Sequence, residues 1–324
     1  MAELTVRRAT GEDLPAILEL LEASMNRDPL EPYEALFHWK HVDNPFGPSP
    51  SWVATDGDRI AGFRTFMRWD FRRGDKPEVV RAVRAVDTAT HPDYQGRGIF
   101  TTLTMAAIDD LRAEGIGLIF NTPNEKSRPG YLKMGWQQIG SLPTHVRVTK
   151  VGSVHRIAAS RVPARIWSVE TSKGTDPAVA LADEAAVAVL LGSQPAGAGL
   201  ATVRSAAFLR WRYGFGPLHY RAVVAPGGIA DGVALFRLRE RGKAVETVLA
   251  DVLVPGDDAT RRRALAAQAA RTAGADYTLA LGRRPSRGWL PLPSGPILTA
   301  RALDDEAVAP LDGWDLNLGD VELF

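Results

Sequence analysis

Cysteine is absent from the 324 residues, which removes disulfides, thiolate zinc sites and a cysteine nucleophile together. Histidine is scarce at six, and His38, His41 and His91 show no metal-ligand spacing with acids, so no metal is expected. Net charge is nearly absent too, since 39 basic residues against 38 acidic leave +1. A chain so balanced creates no field that obliges a nucleic-acid or membrane partner. Single-strand binding would also need aromatics interleaved for stacking. The basic run Arg64, Arg68, Arg72, Arg73, Lys76, Arg81 and Arg84 instead alternates with apolar positions, as in a hairpin exposed on one face. No long apolar span occurs and Ala2 to Asp13 is already charged, so a soluble cytoplasmic protein is the expectation. Arginine outnumbers lysine and alanine is abundant, a bias expected of a GC-rich bacterial genome.

What the chain does have is length for two domains, each able to bury its own core, and glycines placed as punctuation. Asp87 to Phe100 reads as a strand end, then the turn Gln95-Gly96-Arg97-Gly98, then a helix from Ile99 to Glu114 with Ile99, Leu103, Ala106, Ala107 and Leu111 on one stripe. Glycines permit positive φ and close backbone approach, and the first amides of a helix lack intrahelical partners and carry the positive dipole end. Such a turn suits a pyrophosphate. It lacks the Lys-Ser/Thr of a P-loop, and its glycines do not fit the dinucleotide-binding spacing. A second segment follows: a buried strand Ile116 to Phe120, then Asn121 through Trp136, containing Asn124, Tyr131, Lys133 and Gly135.

These two segments at this separation resemble the GCN5-related N-acetyltransferase (GNAT) family. Its acetyl-CoA loop reads Gln/Arg-x-x-Gly-x-Gly/Ala, matched at Gln95 and Gly98; Phe100 stands where the family usually has Gly or Ala. Its next motif places an Asn before a short helix ending in Tyr-x-Lys-x-Gly-aromatic, matched at Asn124, Tyr131, Lys133, Gly135 and Trp136. Val6 to Leu14 resembles the family's first strand and helix, so the likeness spans about residues 4 to 148.

The resemblance implies an α/β fold with a mixed α+β sheet, acetyl-CoA as co-substrate and an amine as acceptor. Gln95, Gly96, Arg97, Gly98, Ile99 and Phe100 would hold the pyrophosphate, with Arg97, Lys126 and Arg128 beside the phosphates. Backbone groups of Ala89 and Thr90 would pair with the pantetheine like an added strand. Asn124 would bond the pantetheine or cap the short helix. Asp87 is nominated as base or amine-orienting group, against an ion pair with a nearby arginine such as Arg84. Tyr131 is nominated as the acid that protonates the leaving sulfur, against a packed tyrosine bonded to backbone. The acceptor site is expected in Asn26 to Tyr33 and Phe37 to His41, with Trp39 and Phe46 either lining it or in the core.

A faint internal repeat links residues 37–64 with 208–237: Phe37-His38-Trp39-Lys40-His41, Phe46-Gly47-Pro48 and Gly62-Phe63-Arg64 against Phe208-Leu209-Arg210-Trp211-Arg212-Tyr213, Phe215-Gly216-Pro217 and Leu235-Phe236-Arg237. The second copy continues with strands at 220–224, 233–239, 245–254 and 277–281 and a helix at 260–272. At its phosphate turn, Asp257 and Asp258 would repel a pyrophosphate. The expectation is two tandem domains, 1–150 and 151–324, the second a cofactor-free relative, joined by a linker within 150–165 and 173–180. The end of the chain stays apolar, and by resemblance to multi-domain relatives the Phe324 α-carboxylate is a further candidate base, against simple completion of the second domain. The function read here is N-acetylation of a small-molecule primary amine, without nucleic acid or membrane and with room for a homodimer. Alternatives are a non-catalytic acyl-CoA-binding or regulatory module, and a transferase of longer acyl or aminoacyl groups.

Overall fold

Parallel neighbouring strands cannot be joined by a tight turn, and this chain twice bridges such a pair with a 15-residue helix. The computed structural model describes residues 4–322 apart from 26, 27, 29, 75–77, 161, 198 and 283–287. The first half runs β1 (Thr5–Arg8), α1 (Leu14–Met25), α2 (Tyr33–His41), β2 (Ser51–Asp56), β3 (Arg59–Arg73), β4 (Val79–Thr90), α3 (Ile99–Ala113), β5 (Leu118–Asn121), α4 (Arg128–Lys133), β6 (Gln137–Ser141) and β7 (Thr144–Val148). The second continues with α5 (Val154–Ala158), β8 (Ser168–Val169), α6 (Pro177–Ala180), α7 (Glu184–Gly192), β9 (Leu200–Thr202), α8 (Ala206–Gly214), β10 (Arg221–Val224), β11 (Val233–Arg241), β12 (Ala244–Leu253), α9 (Ala259–Ala273), β13 (Tyr277–Leu281), β14 (Leu290–Pro291), β15 (Ile297–Ala302), β16 (Trp314–Asp315) and α10 (Leu318–Val321).

Two mixed sheets result, ordered β1-β2-β3-β4-β5-β15-β6 and β10-β11-β12-β13-β7-β14; β9 joins the first through β3, and β8 joins the second through β11. The fold is mixed α/β, as the sequence implied. The sheets do not divide at residue 150, however. β7 leaves the first half to pair with β13, while β15 returns to lie between β5 and β6. Thr299 of β15 faces Asn121 on one side and Gln138 on the other. Each sheet therefore contains a strand from the other half.

Helix α3 buries Ile99, Leu103, Ala107 and Leu111 as its stripe requires, with Ile108 in the place expected for Ala106, which is exposed. These pack on Phe66, Val83 and Ile119. The largest apolar cluster lies between the sheets and joins Trp39, Trp69, Phe71 and Phe120 to Phe208, Leu235, Val248 and Trp314. Two expectations change here. Arg64 and Arg84 of the basic run are fully buried, so the β3–β4 hairpin is not simply exposed on one face. The repeat alignment also slips: Phe63 packs with Ile17, Leu20 and Leu21 of α1, whereas Phe236 packs with Leu265 and Ala269 of α9. An odd shift in register places aligned residues on opposite sheet faces.

Candidate active site

β4 and β5 pair in parallel only from Ala82↔Leu118 to Arg84↔Phe120. Beyond that point β4 stays with β3 as far as Thr90, opposite Gly62, so a wedge opens between β4 and β5. A bulge re-aims β4 within the wedge: Val86 faces Thr65 and Ala89 faces Phe63, with Asp87 at φ +41 between them. Ala89 and Thr90 thus use one edge for β3 and lie in the wedge with the other. The Thr90 carbonyl also accepts a hydrogen bond from Ser24 Oγ at 3.2 Å, which ties the end of α1 to the end of β4.

The glycine turn closes the top of this wedge. Gly96 and Gly98 have φ of +77° and +74°, and Gly98 caps α3 in the left-handed conformation. A Cβ built on either glycine would meet nothing within 4 Å, so the approach to the helix N-terminus is open. Ile99 and Phe100 begin that helix, where amides have no intrahelical acceptor. Arg97 lies over the Tyr94 ring, 4.8 Å from its centroid, and Tyr94 donates to Asp56 Oδ2 at 2.8 Å. Phe100 turns inward and meets Tyr131 edge-on, ring centroids 5.2 Å apart, and a Cβ at Gly130 would come within 2.9 Å of its ring. The large residue at the family's small position therefore fills space beneath α4.

Tyr131 is buried on α4, and its phenol oxygen accepts a hydrogen bond from Arg64 Nη1 at 2.8 Å. The same Nη1 donates to Thr88 Oγ1, on the bulged part of β4. One guanidinium nitrogen therefore holds the Tyr131 hydroxyl beside the wedge. The partner is a side chain from β3, not the backbone.

Asp87 is turned toward α2, where it pairs with the Lys40 ammonium and, at 2.9 Å, with His41 Nε2. Burial alone would push its carboxyl up, but Lys40 and His41 outweigh it and hold the group well below the usual carboxylate range. A carboxylate so stabilised is a poor proton acceptor. Arg84, the partner weighed from sequence, instead donates to the Asp320 carbonyl at 2.7 Å, the Val321 carbonyl at 3.2 Å and Thr122 Oγ1 at 2.9 Å. Asn124 caps its own turn: Oδ1 accepts from the amides of Lys126 at 3.0 Å and Ser127 at 2.9 Å. Arg128 opens α4 half-buried, and Lys126 is exposed.

Between α1 and α2 lies a cavity of about 580 Å³ bordered by Glu22, Asp28, Glu31 and Glu34, with Tyr33 and His38. It coincides with the expected acceptor region, of which Asn26, Arg27 and Pro29 fall outside the described residues. Trp39 and Phe46 do not line it. Trp39 stacks on Trp211 and Phe215, and Phe46 packs on Trp69 and Phe208.

Phe324 also lies outside the described residues. The last described residue before it is Glu322, whose carboxylate meets Arg237, Arg239 and the Tyr220 hydroxyl. In the second sheet the counterpart wedge opens beyond Val248↔Leu279. There Asp258 Oδ1 accepts from the Arg261 amide at 2.7 Å and Asp257 pairs with Arg262, so side chains already occupy that helix N-terminus. Sequence reasoning missed Ser24, the pairing of Lys40 with Asp87 and, above all, Arg64. The available signal was a lone charge in the apolar run Ala61 to Met67. Among the described residues no group of three or more His, Asp or Glu is placed to hold a metal, and no helix is long and apolar enough to cross a membrane.

A profile for the acetyltransferase (GNAT) domain matches residues 5–139. Solved structures with a similar fold include a probable N-acyltransferase from Enterococcus faecalis, at TM-score 0.65 and 14% identity over 93% of this chain and 73% of that one. A GCN5-related N-acetyltransferase from Anabaena variabilis gives 0.64 and 12% over 93% and 73%, and Eis1 from Mycobacterium abscessus gives 0.58 and 16% over 93% and 74%. No curated protein sequence gives a significant match.

Proposed function

We propose that the chain, whose residues 5–139 match the GNAT acetyltransferase domain, transfers an acetyl group from acetyl-CoA to a primary amine in the wedge between β4 and β5. The observation that carries this reading is the open, positive-φ turn Gly96–Gly98 heading α3 directly above strands that have parted. Free helix amides and an open approach suit a pyrophosphate, and the unpaired edge of β4 suits the pantetheine. The thioester would then lie near the Tyr131 hydroxyl.

The acceptor enters from the α1–α2 cavity, whose four carboxylates attract a cationic amine. An alkylammonium of pKa about 10.4 is neutral in roughly one molecule in two thousand at pH 7, so loss of that proton is the main chemical demand. We assign it to these carboxylates acting through water, and give Asp87 the task of fixing α2 against the bulge. The neutral nitrogen attacks the thioester carbonyl, the C–S bond breaks, and Tyr131 supplies the proton that the sulfur takes. A cytoplasmic small-molecule enzyme with one cofactor site per chain completes the reading. Release of free coenzyme A from acetyl-CoA across a panel of amines tests it. Binding without release in the presence of any amine would favour a non-catalytic acyl-CoA module, and preference for longer acyl donors would change the group transferred.

A further inference from the structure

Arg64 is buried completely, yet among the described residues no carboxylate pairs with it. Its Nη1 serves Tyr131 and Thr88, while Nε and Nη2 are buried without a hydrogen-bond partner. Around it stand rings: Phe66 at 4.5 Å from the guanidinium carbon, Tyr131 at 5.3 Å and Phe100 at 5.6 Å. Taking a cation out of water is costly, and aromatic faces and one or two neutral acceptors return only part of that cost. An apolar residue of similar volume would serve the core at least as well. The other buried arginines of this chain differ: Arg237 meets Glu322, and Arg84 and Arg212 each meet backbone carbonyls. Arg64 stands beside a neutral phenol.

We infer that Arg64 is a positioning residue for Tyr131, a guanidinium held ready for the negative charge that the phenol oxygen carries after it gives up its proton. The inference rests on the acetyl-transfer reading above. Because the phenol oxygen accepts from Nη1, its own O–H is left to point elsewhere, and the edge contacts with Phe100 and the packing on Trp136 keep the ring from turning. As the N–C bond forms and the C–S bond breaks, the bonding pair passes to sulfur and the phenol proton joins it to give the free thiol. The amine's surplus proton leaves to water, and the phenolate takes one back from water. During that interval the phenolate and the guanidinium are opposite charges 2.8 Å apart in a ring-lined enclosure, where such a pair is strongest. Arg64 itself, fully buried, touches neither substrate.

A double-mutant cycle in the full-length protein tests this. Arg64→Met, near in volume, should lower kcat by about tenfold to a hundredfold, as removal of an acid's support does, with acetyl-CoA KM and calorimetric coenzyme A affinity within about twofold of wild type. Tyr131→Phe should lower kcat comparably. The double variant should be no slower than Tyr131→Phe alone, since without the phenol oxygen the guanidinium has nothing to support. Arg64→Lys, which keeps the charge, should recover part of the loss, and it replaces the methionine variant in the cycle should that one not fold. Losses that multiply in the double variant, or a fall in coenzyme A affinity parallel to kcat, would overturn the inference while leaving the acetyl-transfer reading intact. A wild-type protein that releases no coenzyme A with any amine overturns both.

Discussion

Trp39 and Trp211 each donate the indole N–H to the other's backbone carbonyl, at 2.7 and 2.6 Å, with their rings stacked 5.1 Å apart. The two sit at matching places in α2 and α8, the helices that carry the two copies of the repeat. A contact in which i meets j as j meets i has the form of a twofold interface, here within one chain. The exchange of β7 and β15 between sheets obeys the same symmetry, since β7 lies between β13 and β14 as β15 lies between β5 and β6.

Residues 1–150 should therefore not fold alone. Without β15, the facing edges of β5 and β6 keep unpaired backbone groups, and Phe120 and Trp39 lose their cover. Expression of 1–150 and of the whole chain, compared by urea unfolding, decides it. A cooperative transition from the fragment at the full-length midpoint would contradict the exchange.

Gly98→Val should abolish acetyl-CoA binding by calorimetry. A side chain at φ +74° costs about 1–2 kcal/mol, and its branches would stand over the open helix N-terminus. Since nothing lies within 4 Å of the new Cβ, the melting temperature should fall by only a few degrees. Undiminished binding would remove the turn from the site.

Asp87→Asn should destabilise the protein by about 3–5 kcal/mol near neutrality, because Lys40 is left buried without its carboxylate. The sign with pH follows from a folded carboxyl held below its unfolded value of about 3.9. That stability is complete above the unfolded value and is lost as the pH falls toward the depressed one. The gap between wild type and variant, measured by urea unfolding, should still be present at about pH 5 and shrink below about pH 4. A gap that instead closed between pH 6 and 7 would place the titration on another group.

One acetyl-CoA should bind per chain. Asp257→Gly with Asp258→Gly should cost about 1 kcal/mol of stability through the lost cap of α9, and titration of that variant should still give one site per chain. Two equivalent sites in the wild-type chain would refute the asymmetry between the copies.

The local features were legible because their causes are local. The stripe of α3, the strands 221–224, 233–241, 244–253 and 277–281, the helix 259–273 and the glycine turn follow from apolar period and backbone permissiveness within a few residues. The repeat was legible as residue types but misaligned at Phe63 and Phe236, because a match of letters carries no information about which face a residue takes.

By itself the sequence determined that a glycine-capped helix follows β4, that Tyr131 stands on a short helix after β5, and that the second copy has carboxylates where the first has glycines. Each is a property of a segment shorter than twenty residues. Tertiary structure alone decided that Asp87 answers to Lys40 and His41, that Arg64 meets Tyr131 from 67 positions away, and that β7 and β15 change sheets. Those choices depend on which strand edge is left open and which buried charge finds a partner, and both are settled only when distant segments meet.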